Sequence, residues 1–248
     1  MHRQVSTTFG VCCKEASGKA QGLIRFVFDY MEDTAMEVLR YEELMERSDE
    51  ELVELVIETE WKAFDKVQNE GGRASCQDDH NTFHLMRASQ YRTWKKEMLI
   101  CYLLDFQDAT QRGWNMISEK YGRMEETTAP DRYELIRDSL PVLPPEKKAI
   151  IEEIVKIQVG WMEEFALHYP KMAQNARTIH TADDTPFDTS YETYLRGEIS
   201  TYSDEMLQLY GGFIVELAQA GRNLACLTME QTALLYGYRS LEDAEQAL

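Results

Sequence analysis

Apolar residues recur at intervals of three and four along almost the whole chain. Nowhere do they alternate, over a useful length, with the period of two that marks a strand. A chain patterned this way buries its apolar stripes by laying helix against helix, so the fold class expected is all-α, a helical bundle. The punctuation agrees. Ser48-Asp49-Glu50-Glu51 has the spacing of a capping box and starts a helix at Asp49. Its stripe runs through Val53, Val56, Ile57, Ala63, Phe64 and Val67 and stops at Gly71-Gly72. A helix over about 26–47 precedes it. One long pattern covers about 81–112 and ends at Gly113, and another covers 115–126 and is closed by Pro130. Pro145 opens a helix over 146–169 that Pro170 stops, and 181–190 is a turn-rich loop. A helix over 203–220 ends at Gly221, and Ser240 starts a short last one.

At 248 residues, positions 1–20 read as a polar N-terminal segment with the composition of a disordered arm, and 21–248 as a single all-helical domain. Lys and Arg total 26 against 44 Asp and Glu, a net charge of −18. That acidity disfavours direct nucleic-acid binding and attachment to an anionic membrane surface. The longest unbroken apolar run, Met98–Leu104, is far below the ~20 residues of a spanning helix. Leu23–Phe28 is too short and too charged for a secretory leader. The five cysteines (Cys12, Cys13, Cys76, Cys101, Cys226) show no CxxC spacing. An odd, sparse set suits reduced thiols, so the location expected is cytoplasmic.

Displacing the chain by 108 residues lays Glu97–Asn115 over Glu205–Asn223 with seven identities in nineteen positions, among them Tyr102/Tyr210, Gly113/Gly221 and Asn115/Asn223. Average composition gives about one or two. With a few residues inserted in the second copy, Asp78-Asp79 ahead of Arg87 matches Asp183-Asp184 ahead of Arg196. The expectation is an internal duplication of about 78–115 and 183–223, the copies packed about a pseudo-two-fold axis.

Several residues are candidates for chemistry. Asp78, Asp79, Asp183 and Asp184 are candidate divalent-metal ligands, because hard cations take one or two carboxylates together with a substrate's phosphate oxygens. As acids ahead of helices they equally suit capping. His80 and His84, four residues apart, share one helix face as paired metal ligands do, although no HExxH is present. Glu60 and Asp105 fall on apolar faces, where a carboxylate needs a partner. Each is therefore either half of an internal ion pair, with Arg87, Arg123 or Arg196, or a candidate catalytic acid tuned by burial. Arg87, Arg196, Tyr102, Tyr194, Asn115 and Asn223 form the candidate substrate-binding set, and Tyr191, Tyr202 and Glu198 complete a polar-aromatic cluster around Arg196. No Glu-x-x-His occurs, which excludes the usual di-iron site; Gly18-Lys19-Ala20 is not a phosphate loop, and there is no GxSxG or GxGxxG.

The strings GGRASCQDDHNTFHLMRASQYRTW (71–94), EKYGRM (119–124), TSYETYLRGEISTYS (189–203) and YGYRSLEDAE (236–245) resemble a bacterial all-helical family known only as a domain of unknown function. The resemblance spans about 30–245. It implies no activity, associates such domains with nucleotidyltransferase-like neighbours, and places the family's function in those strings.

The leading functional expectation is a cytosolic enzyme acting on a small anionic metabolite in a polar pocket between the two repeated halves. Arg87 and Arg196 hold the anion there, Glu60 or Asp105 moves the proton, and a divalent metal assists if one is bound. The alternative is a non-enzymatic helical binding or interaction module, a partner of a nucleotide-handling protein. A third reading is an isoprenoid-type diphosphate enzyme, which requires the Asp-Asp pairs to face each other across an apolar cavity. The cofactor is left open, as is an oligomeric state.

Overall fold

The computed structural model describes residues 38–69 and 72–248. The polar segment 1–20 and most of the helix expected over 26–47 lie outside the described residues. Within them the protein is all-α, as the periodicity predicts. The helices are α1 (Tyr41–Met45), α2 (Asp49–Asp65), α3 (His80–Tyr91), α4 (Lys96–Gln111), α5 (Met116–Thr128), α6 (Pro130–Ile136), α7 (Pro145–His168), α8 (Pro170–Gln174), α9 (Tyr191–Ile199), α10 (Asp204–Gln219), α11 (Leu224–Leu235) and α12 (Leu241–Ala247). No described helix is long and apolar enough to cross a membrane.

Helix ends follow local chemistry. The Ser48 capping box forms in full, with the Glu51 side chain returning to the Ser48 backbone. α2 stops at Asp65, well before Gly71, because Gln77 Nε2 donates to the carbonyls of Phe64 (2.9 Å) and Val67 (3.0 Å) and so satisfies the orphaned helix end. The pattern over 81–112 is two helices, not one. At the break, Thr93 Oγ1 donates to Gln90 O (2.6 Å), and Trp94 turns inward, edge-on to Tyr91 and Tyr102. Pro170 ends α7 and also serves as the first residue of α8.

Two groups of four helices make the core. α2 packs on α3, α4 and α5; α7 packs on α9, α10 and α11. The groups meet through α4 against α10, α3 against α11 and α5 against α9, so each group lends its second and fourth helices to the other. Several contacts recur at matching positions. Gly113 and Gly221 both take positive φ (71° and 63°) directly after α4 and α10. Two residues on, Asn115 caps α5 and its Nδ2 donates to Ala63 O on α2 (2.8 Å). Asn223 caps α11 and its Nδ2 donates to Trp161 O on α7 (2.9 Å). Counting back from those two carbonyls, Val53, Val56, Ile57 and Glu60 on α2 fall level with Ile151, Ile154, Val155 and Gln158 on α7, and all eight are buried. Gly197 allows a close approach between the groups: a Cβ there would lie 2.8 Å from Met124 Cγ and 3.0 Å from Lys120 O.

Candidate functional site

A buried charged network lies where the two groups meet. Glu60 lies at the level of α2 where the stripe faces α3 and α4, and Arg87 reaches it from α3. The guanidinium grips the carboxylate with two hydrogen bonds, Nε to Oε2 (2.5 Å) and Nη2 to Oε1 (2.6 Å). Its Nη2 also donates to Tyr91 OH (2.5 Å), and Nη1 donates to Gln90 Oε1 (2.8 Å) and Glu198 Oε2 (3.1 Å). All five guanidinium N–H groups are thereby used. Tyr102 OH donates to Glu60 Oε1 (3.0 Å), while Lys120 from α5 and Gln90 from α3 donate to Glu198 on α9 (2.6 Å each). Burial opposes ionisation of Glu198, but Arg87 and Lys120 outweigh it and hold its carboxyl well below the usual carboxylate range. Burial likewise opposes the charge on Arg87, and Glu198 and Glu60 more than restore it. Burial, reinforced by Glu60 and Glu198, pushes the Tyr102 hydroxyl well up.

The remaining candidates are spread over the molecule. Asp105 lies off this network, where its Oδ2 accepts from Ser203 N (3.2 Å); burial raises its pKa against those Ser203 hydrogen bonds. The Tyr194 ring lies under Lys120 Nζ (3.7 Å) and beside Arg177. Asp78 pairs with Arg73 (2.6 Å), and Asp79 caps α3 by accepting from Thr82 N (3.0 Å). Asp183 is exposed; Asp184 accepts from Thr127, Thr193 and Ser190 N at 2.5–2.7 Å and ties the loop to α5 and α9. His84 pairs with Glu54 (2.8 Å) and His80 faces Glu58 (3.7 Å). Among the described residues no three His, Cys, Asp or Glu side chains converge as a metal-holding group, so these six residues do not share one centre. Arg87 and Arg196 point to different surroundings, because the shift of 108 sets Leu195, not Arg196, level with Arg87.

A cleft of about 300 Å³ opens between α7 and α9. Arg196 borders it, donating to Glu152 (2.8 and 3.1 Å), Glu192 (2.7 Å) and Thr181 Oγ1 (3.2 Å). Desolvation lowers the Arg196 pKa, and the two carboxylates more than reverse that. Lys156 lies on the same rim and forms no ion pair with another described residue. At the far end His180 Nε2 faces Glu163 Oε1 (3.1 Å), and Val155, Val159 and Gly160 form the floor. The level surface of the first group is closed instead. Glu54, Glu58 and Trp61 stand where Glu152, Lys156 and Val159 stand on α7, and Trp61 fills the space, edge-on to His80 (4.7 Å) and Phe83 (5.1 Å).

Sequence reasoning singled out Glu60, Arg87, Tyr102 and Arg196 but not Lys120, Gln90, Lys156 or His180. The likeness of V53ELVIETE60 to I151EEIVKIQ158 would have aligned α2 with α7 and drawn attention to Lys156. No curated protein and no solved structure matches the chain. A family model does match, across residues 50–246, so the chain belongs to the family of proteins of unknown function DUF4125.

Proposed function

We propose that the two helical groups are copies of one duplicated element, and that the second copy has become the binding site for a small anionic molecule in the α7–α9 cleft. The buried network is then the frame that joins the copies. Its carboxylates and its guanidinium are spent on one another, as expected for buried charges that must be paired. One observation carries the reading: compared with the level surface of α2 and α3, the cleft is opened and gains two cations, Lys156 and Arg196, beside the carboxylates of Glu152, Glu163 and Glu192. Val159 replaces Trp61 and removes the plug, Lys156 replaces Glu58, and Arg196 stands where the shift of 108 sets Ala88. Lys156 supplies an ammonium with no described carboxylate partner. Arg196 supplies a guanidinium that an anion reaches by displacing the half-exposed Glu152. Cys76, Cys101 and Cys226, which form no disulfide among the described residues, suit a cytoplasmic setting.

The test is calorimetric titration of the full chain with inorganic phosphate and with succinate, alongside Lys156→Ala, Arg196→Ala and Val159→Trp. Binding that Lys156→Ala weakens at least tenfold, and that the Trp plug abolishes in a folded protein, is the result expected. Anion binding unaffected by all three substitutions, or none at all, overturns the reading.

A further inference from the structure

We infer that the molecule taken by the α7–α9 cleft is a linear amino carboxylate, a zwitterion with its two charges about 1 nm apart on an apolar spacer; this deepens, and rests on, the anion-binding reading above. The cleft is not uniformly cationic. Arg196 is held by Glu152 and Glu192, which leaves Lys156 as the unpaired cation among the described lining residues, and Glu163 lies seven residues further along α7, about 10 Å at 1.5 Å per residue. Between them the floor is apolar and shallow. Val159 lies on that stretch, and a Cβ at Gly160 would meet nothing within 4 Å.

The two copies again show what has changed. On α2 the residue level with Glu163 is Asp65, and it is held by Arg73 through Nη2 (2.5 Å). Among the described residues Glu163 has no such cation: its partner is His180, and both side chains are about half exposed, at 52% and 46%. The half-exposed Glu163 carboxylate at the mouth of that end is able to take an ammonium, which would donate to it. A simple dianion would place one of its charges against Glu163, and a simple diamine would place one against Lys156. Only a ligand with one charge of each sign satisfies both ends, and an aliphatic spacer suits the valine floor. A volume of about 300 Å³ accommodates a chain of this length, at the lower limit of ordinary ligand sites.

The test titrates the full chain with 8-aminooctanoate, octanoate and 1,8-diaminooctane, using the unaltered protein, Lys156→Ala and Glu163→Gln, with unfolding midpoints as the control for folding. The inference expects 8-aminooctanoate to bind at least tenfold more tightly than octanoate. Glu163→Gln should remove that advantage while leaving octanoate unchanged, and Lys156→Ala should weaken both carboxylates. If octanoate binds as tightly as 8-aminooctanoate and both depend on Lys156, the zwitterion is wrong and the anion site stands. If 1,8-diaminooctane binds best, the cleft is a cation site and both ideas fail. If no carboxylate and no phosphate shows Lys156-dependent binding, the anion reading fails and takes this inference with it.

Discussion

The α2–α5 group and the α7, α9–α11 group solve the same packing problem with different polar chemistry. At one level, a tyrosine hydroxyl from the third helix donates to a buried side chain on the first: Tyr102 to Glu60, and Tyr210 to Gln158 (3.2 Å). In the first group that acceptor is charged and brings Arg87 with it. In the second it is a neutral amide, and Leu195 occupies the position level with Arg87. The charge is therefore not demanded by the helical frame, which also closes around the neutral Gln158, whose buried Nε2 finds no hydrogen-bond partner among the described residues. It belongs to the junction, where Gln90 and Glu198, 108 residues apart, meet, and one guanidinium bridges the acids of both groups. On the outer surface the contrast runs the other way. The first group closes its α2–α3 surface with Trp61 and two His–Glu contacts, whereas the second leaves a cleft with a lysine that has no ion-pair partner among the described residues.

The largest expected effect comes from removing the bridging cation. Arg87→Leu leaves Glu60 and Glu198 short of their shared partner and should cost about 3–5 kcal/mol in urea unfolding at neutral pH; a loss under about 1 kcal/mol would show the network to be dispensable. Next, Gln158→Glu installs a carboxylate where the partners among the described residues are the Tyr191 and Tyr210 hydroxyls and no cation. A loss of about 2–4 kcal/mol is expected at pH 7, shrinking at pH 4.5, with partial recovery on adding Leu195→Arg. An equal loss at both pH values would mean that shape, not charge, separates the two groups.

Acid titration sharpens the contrast further. The Glu198 carboxyl is held below its unfolded value, so its contribution to stability is complete above about pH 4.5 and is lost as pH falls towards the folded value. Glu198→Gln should flatten that acid limb. Asp105 has the opposite sign, since burial raises it: its contribution is full at low pH and drains away as pH rises through the raised value. Asp105→Asn keeps an acceptor for Ser203 N and should stabilise the protein at pH 7 by up to about 1 kcal/mol, read from unfolding midpoints. The smallest contrast is expected at the helix ends. Gly113→Ala and Gly221→Ala each put a Cβ on a left-handed residue, and each should cost about 1 kcal/mol. A difference between them well above ~0.5 kcal/mol would undo the equivalence of the two ends.

The all-helical class was legible because caps, glycines and prolines bracket the apolar stripes, and the capping box at Ser48 forms as its spacing predicts. The break between α3 and α4 was not legible, since no Gly or Pro marks it and inward burial of Trp94 makes the turn. Glu60 announced itself as an acid on an apolar stripe, and its partner is one of the three arginines available in sequence. Lys120 did not, and Glu198 stood out only as a member of the cluster around Arg196, because the pair forms only when Gly197 lets α9 close on α5, a tertiary event that leaves no periodic trace. The Asp-Asp pairs suggested metal by residue type, yet capping and loop bracing account for Asp79 and Asp184. The cleft was invisible for a related reason: it is defined by a tryptophan that α7 lacks, and only the level with α2 shows the omission.

The most direct test of the central claim, that the buried charges join two copies of a frame able to close without them, is a double-mutant cycle on Glu60→Gln and Arg87→Leu, which gives the first group the residues of the second. The account predicts that the double variant is more stable than the sum of the two single losses implies, by on the order of 2–3 kcal/mol, with the protein still folded. Losses that add to within ~0.5 kcal/mol would contradict it, since the acid and the guanidinium would then contribute independently of each other.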